Sequence, residues 1–242
     1  MLKKIISTFR IFKRNTIKVP IQLQKNSEEL IWAAVFNSTI SDSEWLKNKS
    51  FSPGRWAAGY PLLYILYRIY NDIKPKSVLE FGVGETTKLG YQYATHHKTN
   101  YQVVEHDEKW LSFFCEEKYD IKKHLIKTSI SEQQFNGFPT NIYDNLIEKI
   151  GKEKYDLIII DGPFGSPHFS RNQILEIVNN DNLASSFVII MDDYNRKGEQ
   201  ETIDLLKINL SKKSITYYEG IYSGQKDSLI ICSENYRFLC SL

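Results

Sequence analysis

The stretch VLEFGVGETT, residues 78–87, decides how this chain folds. It opens with the strand-like residues VLEF, and Gly82 and Gly84 follow at once. Glycines at such a point let the chain turn sharply after a strand and let a ligand approach the backbone closely. The residues from Thr86 onward favour a helix. A strand, a glycine turn and a helix in this order are typical of a nucleotide-binding unit in an α/β sheet.

A second acidic strand end supports this interpretation. The predicted strand 101–105 ends at Glu105, which lies 25 positions after Glu80 (105 − 80 = 25). In dinucleotide-binding folds, an acidic side chain about 20 residues farther along accepts hydrogen bonds from ribose hydroxyls. A dinucleotide itself fits less well, because the third glycine of its motif would fall near Thr87 and Glu80 would repel a pyrophosphate. The pattern predicts that Glu105 binds the ribose of a cofactor.

The rest of the chain alternates between strand and helix patterns, which predicts a parallel, doubly wound sheet. Asp161 and Asp192 each follow a continuously apolar strand of the kind that is buried on both faces. The carboxyl ends of such strands meet at one crevice, where ligands bind. Further strands are expected over 124–128, 155–161, 187–191, 215–220 and 228–232, and helices over 57–70, 86–95, 107–115, 141–150 and 199–210.

Together these features resemble the class I S-adenosylmethionine-dependent methyltransferases. The pattern EFGxG from Glu80 is similar to the first motif of that family, and VEHDEKW, residues 104–110, resembles the second motif in a variant common among O-methyltransferases. Asp161-Gly-Pro and the closing hairpin match in order and place, so the resemblance covers roughly residues 55–235. It implies an α/β fold with a Rossmann-like, doubly wound, mostly parallel seven-stranded sheet and a C-terminal antiparallel hairpin.

The resemblance also implies that the cofactor is S-adenosylmethionine and assigns six residues to it. Glu80 would hold the amino end of the methionine part, directly or through water, and Thr87 would donate to its carboxylate. Glu105 would bind the ribose, and Ser129 would lie near the adenine. The residues assigned to the cofactor are Glu80, Gly82, Gly84, Thr87, Glu105 and Ser129.

Three carboxylates stand where the acceptor is expected. Asp161 ends one strand, and Asp192 and Asp193 end another. Carboxylate oxygens suit Mg²⁺, and the arrangement resembles the metal site of catechol-type and sugar O-methyltransferases, which would make all three metal ligands and Asp161 catalytic. Those families often have Asn or Glu within the pair, whereas both residues here are Asp. The alternative is that the pair only caps the following turn.

A base for the acceptor hydroxyl is expected in the loop after Asp161. His168 lies there, and a neutral imidazole near pH 7 is suited to take a proton; a solvated loop histidine is the alternative. Arg55, Trp56 and Tyr60 precede the glycine turn and are expected to close over the acceptor.

Length and composition set the wider limits. The 242 residues allow one sizeable core, predicted as a basic helical segment over 1–50 and the main domain over 51–242. A net charge of +2 gives no whole-surface field for nucleic acid, so no nucleic-acid partner is expected. Three cysteines without metal spacing favour a reducing, cytoplasmic location.

The N-terminus alternates apolar and basic residues instead of forming a signal sequence. Leu2, Ile5, Ile6, Phe9 and Phe12 recur at helical spacing. This pattern predicts an amphipathic basic helix over residues 1–19 that either makes peripheral contact with the cytoplasmic face of an anionic membrane or packs on the domain.

The expected activity is methyl transfer to a hydroxyl of a sugar, a glycan or another small molecule. The alternatives are an NAD-dependent oxidoreductase and a non-catalytic, methyltransferase-like partner in a glycan-assembly complex. RNA methylation is disfavoured, because Asp161-Gly-Pro-Phe164 stands where an Asn-Pro-Pro-Tyr motif would be expected.

Overall fold

The computed structural model describes residues 13–54, 56–116 and 119–242. The five apolar positions of the predicted amphipathic helix, from Leu2 to Phe12, lie outside the described residues, and so does Arg55. The remaining predicted site residues all lie within them.

A seven-stranded sheet in the order β3-β2-β1-β6-β7-β9-β8 organises the chain. The five strands from β3 to β7 in this order pair in parallel, and β9 and β8 close the sheet as antiparallel strands. The fold class implied by the resemblance is therefore confirmed. The strands are β1 (Ser77–Phe81), β2 (Asn100–Glu105), β3 (Leu125–Lys127), β6 (Tyr155–Ile160), β7 (Leu183–Met191), β8 (Tyr218–Ser223) and β9 (Asp227–Cys232).

Helices cover both faces of this sheet. In β1, Val78 packs into the core on one face, while Leu79 and Phe81 pack into the core on the other. All five residues of β1 are buried, as expected for a central parallel strand. The α-helices are α1 (Val19–Ile40), α2 (Tyr60–Arg68), α3 (Glu85–His97), α4 (Glu108–Glu116), α5 (Leu146–Ile150), α6 (Gln173–Asn179) and α7 (Lys197–Lys212).

One predicted helix, over 141–150, is wrong in its first half. Residues Ile130–Phe135 form β4 and Phe138–Tyr143 form β5, an antiparallel hairpin outside the main sheet, and only Leu146–Ile150 is helical. The hairpin turns at Asn136 and Gly137, with φ of 51° and 83°. Asn-Gly favours such turns because both residues tolerate positive φ, so this dipeptide was the available signal. Strand β8 also lies later than its predicted range of 215–220.

The N-terminal segment joins the same core. A π-helical turn, Arg14–Lys18, leads into α1. Phe36 and Ile40 near the end of α1 are buried in the core cluster that also contains Val78. The boundary predicted at residue 50 stays a prediction. Within the described residues, no helix has the length and hydropathy that crossing a membrane requires.

Candidate functional site

A cavity of about 630 Å³ opens at the carboxyl ends of β1, β2, β6 and β7. Its wall includes Glu105, which ends β2, Asp161, which follows β6, and Asp193, the second residue after β7. Neighbouring parallel strands bring these ends together, as the sequence predicted. Several aromatic and cationic side chains complete the wall: His106, Trp110, Phe113, Phe164, Arg171, Arg196 and Lys226.

The glycine turn forms one side of the cavity. Gly82 has φ +89°, and a Cβ there would lie 3.0 Å from the carbonyl oxygen of Asp161, so the loops after β1 and β6 touch through their backbones. Gly84 has φ −172°, which any residue adopts, and a Cβ there would meet no atom within 4 Å. Because Gly84 also lines the cavity, this bare backbone leaves room for a ligand.

Glu105 stands at the centre of the turn and holds two loops in place. Its Oε2 accepts from the backbone N–H of Val83 at 2.9 Å. Its Oε1 accepts from the N–H groups of His106 at 2.7 Å and Asp107 at 2.9 Å. A carboxylate oxygen has two acceptor positions, so Oε2 retains one for a hydroxyl in the cavity.

Glu80 lies below the turn and is fully buried. Its Oε1 accepts from the hydroxyls of Thr86 at 2.6 Å and Thr87 at 2.8 Å, and its Oε2 accepts from Tyr101 at 2.5 Å. Burial raises the pKa of Glu80 to about 7, against the lowering effect of these hydrogen bonds. Glu80 and Thr87 are not among the described residues that line the cavity. Thr87 instead accepts from the N–H of Gly84 at 2.9 Å.

Three other predicted site residues also lie away from the cavity wall formed by the described residues, and the first of them, Asp192, is buried beside it. Ser129 is exposed and donates to Oδ2 of Asp144 at 2.5 Å. The ring of His168 stacks on Phe138 at 4.0 Å, and its Nδ1 lies 3.1 Å from the carboxylate of Glu201. The roles assigned to Ser129 as an adenine contact and to His168 as a base stay predictions.

His106 is the histidine that the structure places in the cavity wall. Its ring packs edge-on against Phe164, with centroids 5.1 Å apart. Trp110 closes the same side, and its indole N–H donates to the carbonyl of Val83 at 2.6 Å. The sequence signal was the place of His106 directly after Glu105, but the neighbour Phe164 comes from a distant loop that the pattern did not position.

The three aspartates of the predicted metal site converge. One oxygen from each of Asp161, Asp192 and Asp193 lies within 4.8 Å of the others. Burial raises the pKa of Asp161 well above its usual range, and the charge of Asp192 adds to this rise, while Arg171 and Lys226 oppose it. Three carboxylates and two cationic side chains therefore meet in one cluster beside the cavity.

Cationic side chains already neutralise these acids. Nη2 of Arg171 lies 3.1 Å from Asp193 and 3.4 Å from Asp161. Nζ of Lys226 lies 3.3 Å from Asp192 and 3.5 Å from Asp193. Arg196 adds a third contact to Asp193, at 2.9 Å.

This donor set does not fit a magnesium site. Mg²⁺ needs near-octahedral oxygen ligands and keeps several waters, and here the ion would sit beside Arg171 and Lys226, which already pair with the same carboxylates. Ser228 also donates to Oδ1 of Asp192 at 2.9 Å. Sequence reasoning missed Lys226 because it lies in the turn between β8 and β9, and only the pairing of β9 with β7 brings that turn to the acids.

Trp56 and Tyr60, the two aromatic residues expected to close over the acceptor, lie in different places. Trp56 lies at the cavity mouth with 86% of its surface exposed. Tyr60 instead packs with Phe36 in the core, at a centroid distance of 6.0 Å. Trp56 is thus placed to contact a ligand, and Tyr60 is structural.

Comparison with known proteins gives matches among solved structures only. No family model and no curated protein matches the chain. The methyltransferase PaMTH1 of Podospora anserina, solved with SAH, is 14% identical over 90% of this chain and 95% of that one, with a TM-score of 0.47. A putative caffeoyl-CoA O-methyltransferase from Staphylococcus aureus is 12% identical over 90% and 98%, with a TM-score of 0.47.

A methyltransferase from Pyrococcus furiosus is 12% identical over 85% of this chain and 98% of that one, with a TM-score of 0.43. All three similar structures are methyltransferases by description. Likenesses at this identity and TM-score establish no activity for this chain.

Proposed function

We propose that this chain is an S-adenosylmethionine-dependent methyltransferase that acts on a hydroxyl of a sugar, a glycan or another small molecule. The observation that carries this proposal is one continuous cavity. Glu105, the bare backbone of Gly84 and Asp161 all line it. A cofactor and an acceptor can therefore meet in it.

The part of the cavity wall around Glu105 and Gly84 fits the adenosine part of the ligand. Glu105 keeps one free acceptor position for a ribose hydroxyl, and Gly84 leaves room for the ligand beside the first turn of α3. The His106 and Trp110 rings provide flat apolar surfaces in the same wall. Glu80 supports the turn indirectly, because it binds Thr87, which in turn accepts from the N–H of Gly84.

The bound cofactor supplies an electrophilic methyl group on a sulfonium. The residues of the chain have to hold the acceptor oxygen in line with that methyl group and accept its proton. Asp161 suits the second task, because it lines the cavity and an ionised carboxylate accepts a proton. His168 stays the alternative base and would have to leave Glu201 to act.

The acceptor class is supported by the rings around the mouth of the cavity. Trp56 and Phe164 expose large parts of their surfaces there, and aromatic faces pack well against the apolar faces of sugar rings and other flat small molecules. Arg171 and Lys226, which pair with the aspartates, add polar groups to the same wall.

The first test is ligand binding measured by calorimetry. S-adenosylhomocysteine should bind the wild-type chain, and NAD should not. Gly84→Val should weaken S-adenosylhomocysteine binding by about tenfold or more, since the side chain enters the bare wall without straining a backbone at φ −172°. Thr95→Val, an exposed site on α3, is the matched control and should bind normally. Binding of NAD in place of S-adenosylhomocysteine would support the oxidoreductase alternative instead.

Turnover has to be tested with a panel of sugar, glycan and small-molecule hydroxyls and a cofactor labelled in its methyl group. Transfer to oxygen on any member supports the proposal. Binding of the cofactor without turnover on any acceptor would favour the non-catalytic partner in a glycan-assembly complex.

Chelation distinguishes the cationic cluster from the metal site implied by the resemblance. Methylation should survive EDTA with its rate within about twofold, because Lys226 and Arg171 already neutralise Asp192 and Asp193. The control is a second assay in which Mg²⁺ is added back. Loss of turnover in EDTA that added Mg²⁺ restores would show that Asp161, Asp192 and Asp193 are metal ligands after all.

A further inference from the structure

Two of the three cysteines lie side by side, away from the cavity. Sγ of Cys232 and Sγ of Cys240 are 3.6 Å apart. Cys232 is the last residue of β9, and Cys240 lies in the C-terminal 3₁₀ helix, Glu234–Ser241. Cys115 is in α4, which follows β2, and three strands of the sheet separate β2 from β9. We call Cys232 and Cys240 the thiol pair.

Strand β8 holds the backbones of both cysteines in place. Cys232 is paired in the sheet between Val188 of β7 and Tyr218 of β8. The backbone of Cys240 lies directly on Gly220 of β8, where an added Cβ would be 2.7 Å from the Cα of Cys240. The two sulfur atoms therefore lie close together because the segments that carry them pack on the same strand.

Tyr222 ties the end of the C-terminal helix to β8 as well. Its buried hydroxyl donates to the carbonyl of Leu239 and accepts from the backbone N–H of Leu242 at 3.1 Å. These two hydrogen bonds lie on either side of Cys240 along the chain. Moving Cys240 away from β8 would break them, at the cost of leaving a buried hydroxyl without a partner.

The distance between the sulfur atoms is close to that of a covalent bond. A disulfide has an S–S length of about 2.05 Å, so the atoms would have to approach by about 1.5 Å from their separation of 3.6 Å. Small rotations of the two side chains supply a movement of this size. The bond would close a ring of nine residues, from 232 to 240.

We propose that Cys232 and Cys240 form a reversible disulfide that fastens the C-terminal helix to the sheet when the chain meets a disulfide oxidant such as glutathione disulfide. Each thiol loses its proton, and the two sulfur atoms give up two electrons as the S–S bond forms. The S–S bond of glutathione disulfide breaks, and the two electrons and two protons leave on two molecules of glutathione. The proposal is independent of the methyltransferase proposal, because neither cysteine is among the described residues that line the cavity.

Cys240 meets the oxidant first, because it is half-buried whereas Cys232 is fully buried. Its thiolate attacks glutathione disulfide and takes up one glutathione, which the thiolate of Cys232 then displaces. Burial raises the pKa of both thiols, and the charge of Cys240 adds to the rise at Cys232. That second contribution disappears once Cys240 carries glutathione, so the first step makes the second easier.

The test is oxidation of the full chain with excess glutathione disulfide at about pH 8.5, where more of each thiol is ionised than at pH 7. Wild-type protein should lose two thiols and keep that of Cys115, and dithiothreitol should restore both. Trypsin cuts after Lys226 and Arg237, so the thiol pair falls on two peptides, 227–237 and 238–242. Mass spectrometry should find these peptides joined after oxidation and separate after reduction.

Thermal unfolding measures whether the bond fastens the C-terminal helix. Oxidised wild-type protein should unfold at a temperature about 5 °C higher than the reduced protein, because the cross-link restricts the unfolded chain. Cys240→Ser should show no shift on oxidation. Cys115→Ser is the matched control and should keep both the joined peptides and the shift.

Four results would overturn the proposal. The two peptides could stay separate in the oxidised wild type, or Cys240 could keep its glutathione because Cys232 does not reach it. A cross-linked dimer on a non-reducing gel would place the bond between copies of the chain. Joined peptides without a higher unfolding temperature would show that the bond distorts the C-terminal helix instead of fastening it.

Discussion

Glu105→Gln should weaken the binding of S-adenosylhomocysteine by roughly 30- to 150-fold, which corresponds to about 2–3 kcal/mol. The side chain keeps its size but loses its charge and one of its two acceptor oxygens. In the wild-type chain Oε1 already accepts two backbone bonds and Oε2 accepts one. The amide NH₂ therefore faces either the N–H groups of His106 and Asp107 or the N–H of Val83 together with the ribose hydroxyl. Both outcomes cost the charge-assisted hydrogen bond to the ligand.

Calorimetry well below the unfolding temperature measures this change, and thermal unfolding of the free protein runs beside it. Glu132→Gln, at an exposed carboxylate of the β4–β5 hairpin, is the matched control and should bind normally. Unchanged affinity in Glu105→Gln, together with a lower unfolding temperature, would show that Glu105 only holds the loops. The ribose would then have to be bound by other groups of the wall.

The residues that sequence reasoning placed correctly are those fixed by the ends of parallel strands. Glu105, Asp161 and Asp193 line one cavity because β2, β1, β6 and β7 are neighbours that run in the same direction. The positions of strand ends depend only on the order and direction of the strands. Both can be inferred from a sequence in which strands alternate with helices. This part of the site could be predicted without any side-chain detail.

The side chains that strand ends do not fix were harder to predict. Glu80 is the fourth residue of β1, and the hydroxyls of Thr86 and Tyr101 surround its carboxylate below the cavity floor. Lys226 reaches the aspartates from a hairpin turn 33 residues after Asp193 (226 − 193 = 33), through an antiparallel pairing that no local pattern encodes. His168 lies in the predicted loop after Asp161, but its ring stacks on Phe138 of the β4–β5 hairpin, which was not predicted.

Glu80→Gln should change how the stability of the protein depends on pH. Burial raises the pKa of Glu80 from 4.5 to about 7 in the folded chain. The folded state therefore binds a proton more tightly than the unfolded state, so the stability contribution of Glu80 is greatest below pH 4.5. It falls as the pH rises from about 4.5 to about 7 and is level above that. At roughly 1.4 kcal/mol for each pKa unit, the full loss is about 3 kcal/mol.

The glutamine does not titrate, so this loss should be missing from the variant. The hydroxyls of Thr86, Thr87 and Tyr101 can both donate and accept, which lets them bind an amide in place of the carboxylate. Urea unfolding of both proteins at pH 5 and pH 8 gives the result. The free energy of unfolding of the wild type, relative to Glu80→Gln, should fall by about 2–3 kcal/mol between these two pH values. Glu132→Gln should retain the wild-type pH profile, since its side chain is exposed.

The same variant separates the two roles that Glu80 can have in the site. If Glu80 only positions the glycine turn through Thr87, the Glu80→Gln variant should keep most of the affinity for S-adenosylhomocysteine, because Thr87 can still accept from the N–H of Gly84. If Glu80 binds the methionine amino group directly, the variant should bind S-adenosylhomocysteine about tenfold or more weakly, because the charge of the carboxylate is lost. A parallel pH profile for wild type and variant would mean that Glu80 is ionised normally in the folded chain. Its carboxylate would then be accessible to water or to the ligand in solution, in place of the closed hydroxyl cage seen here.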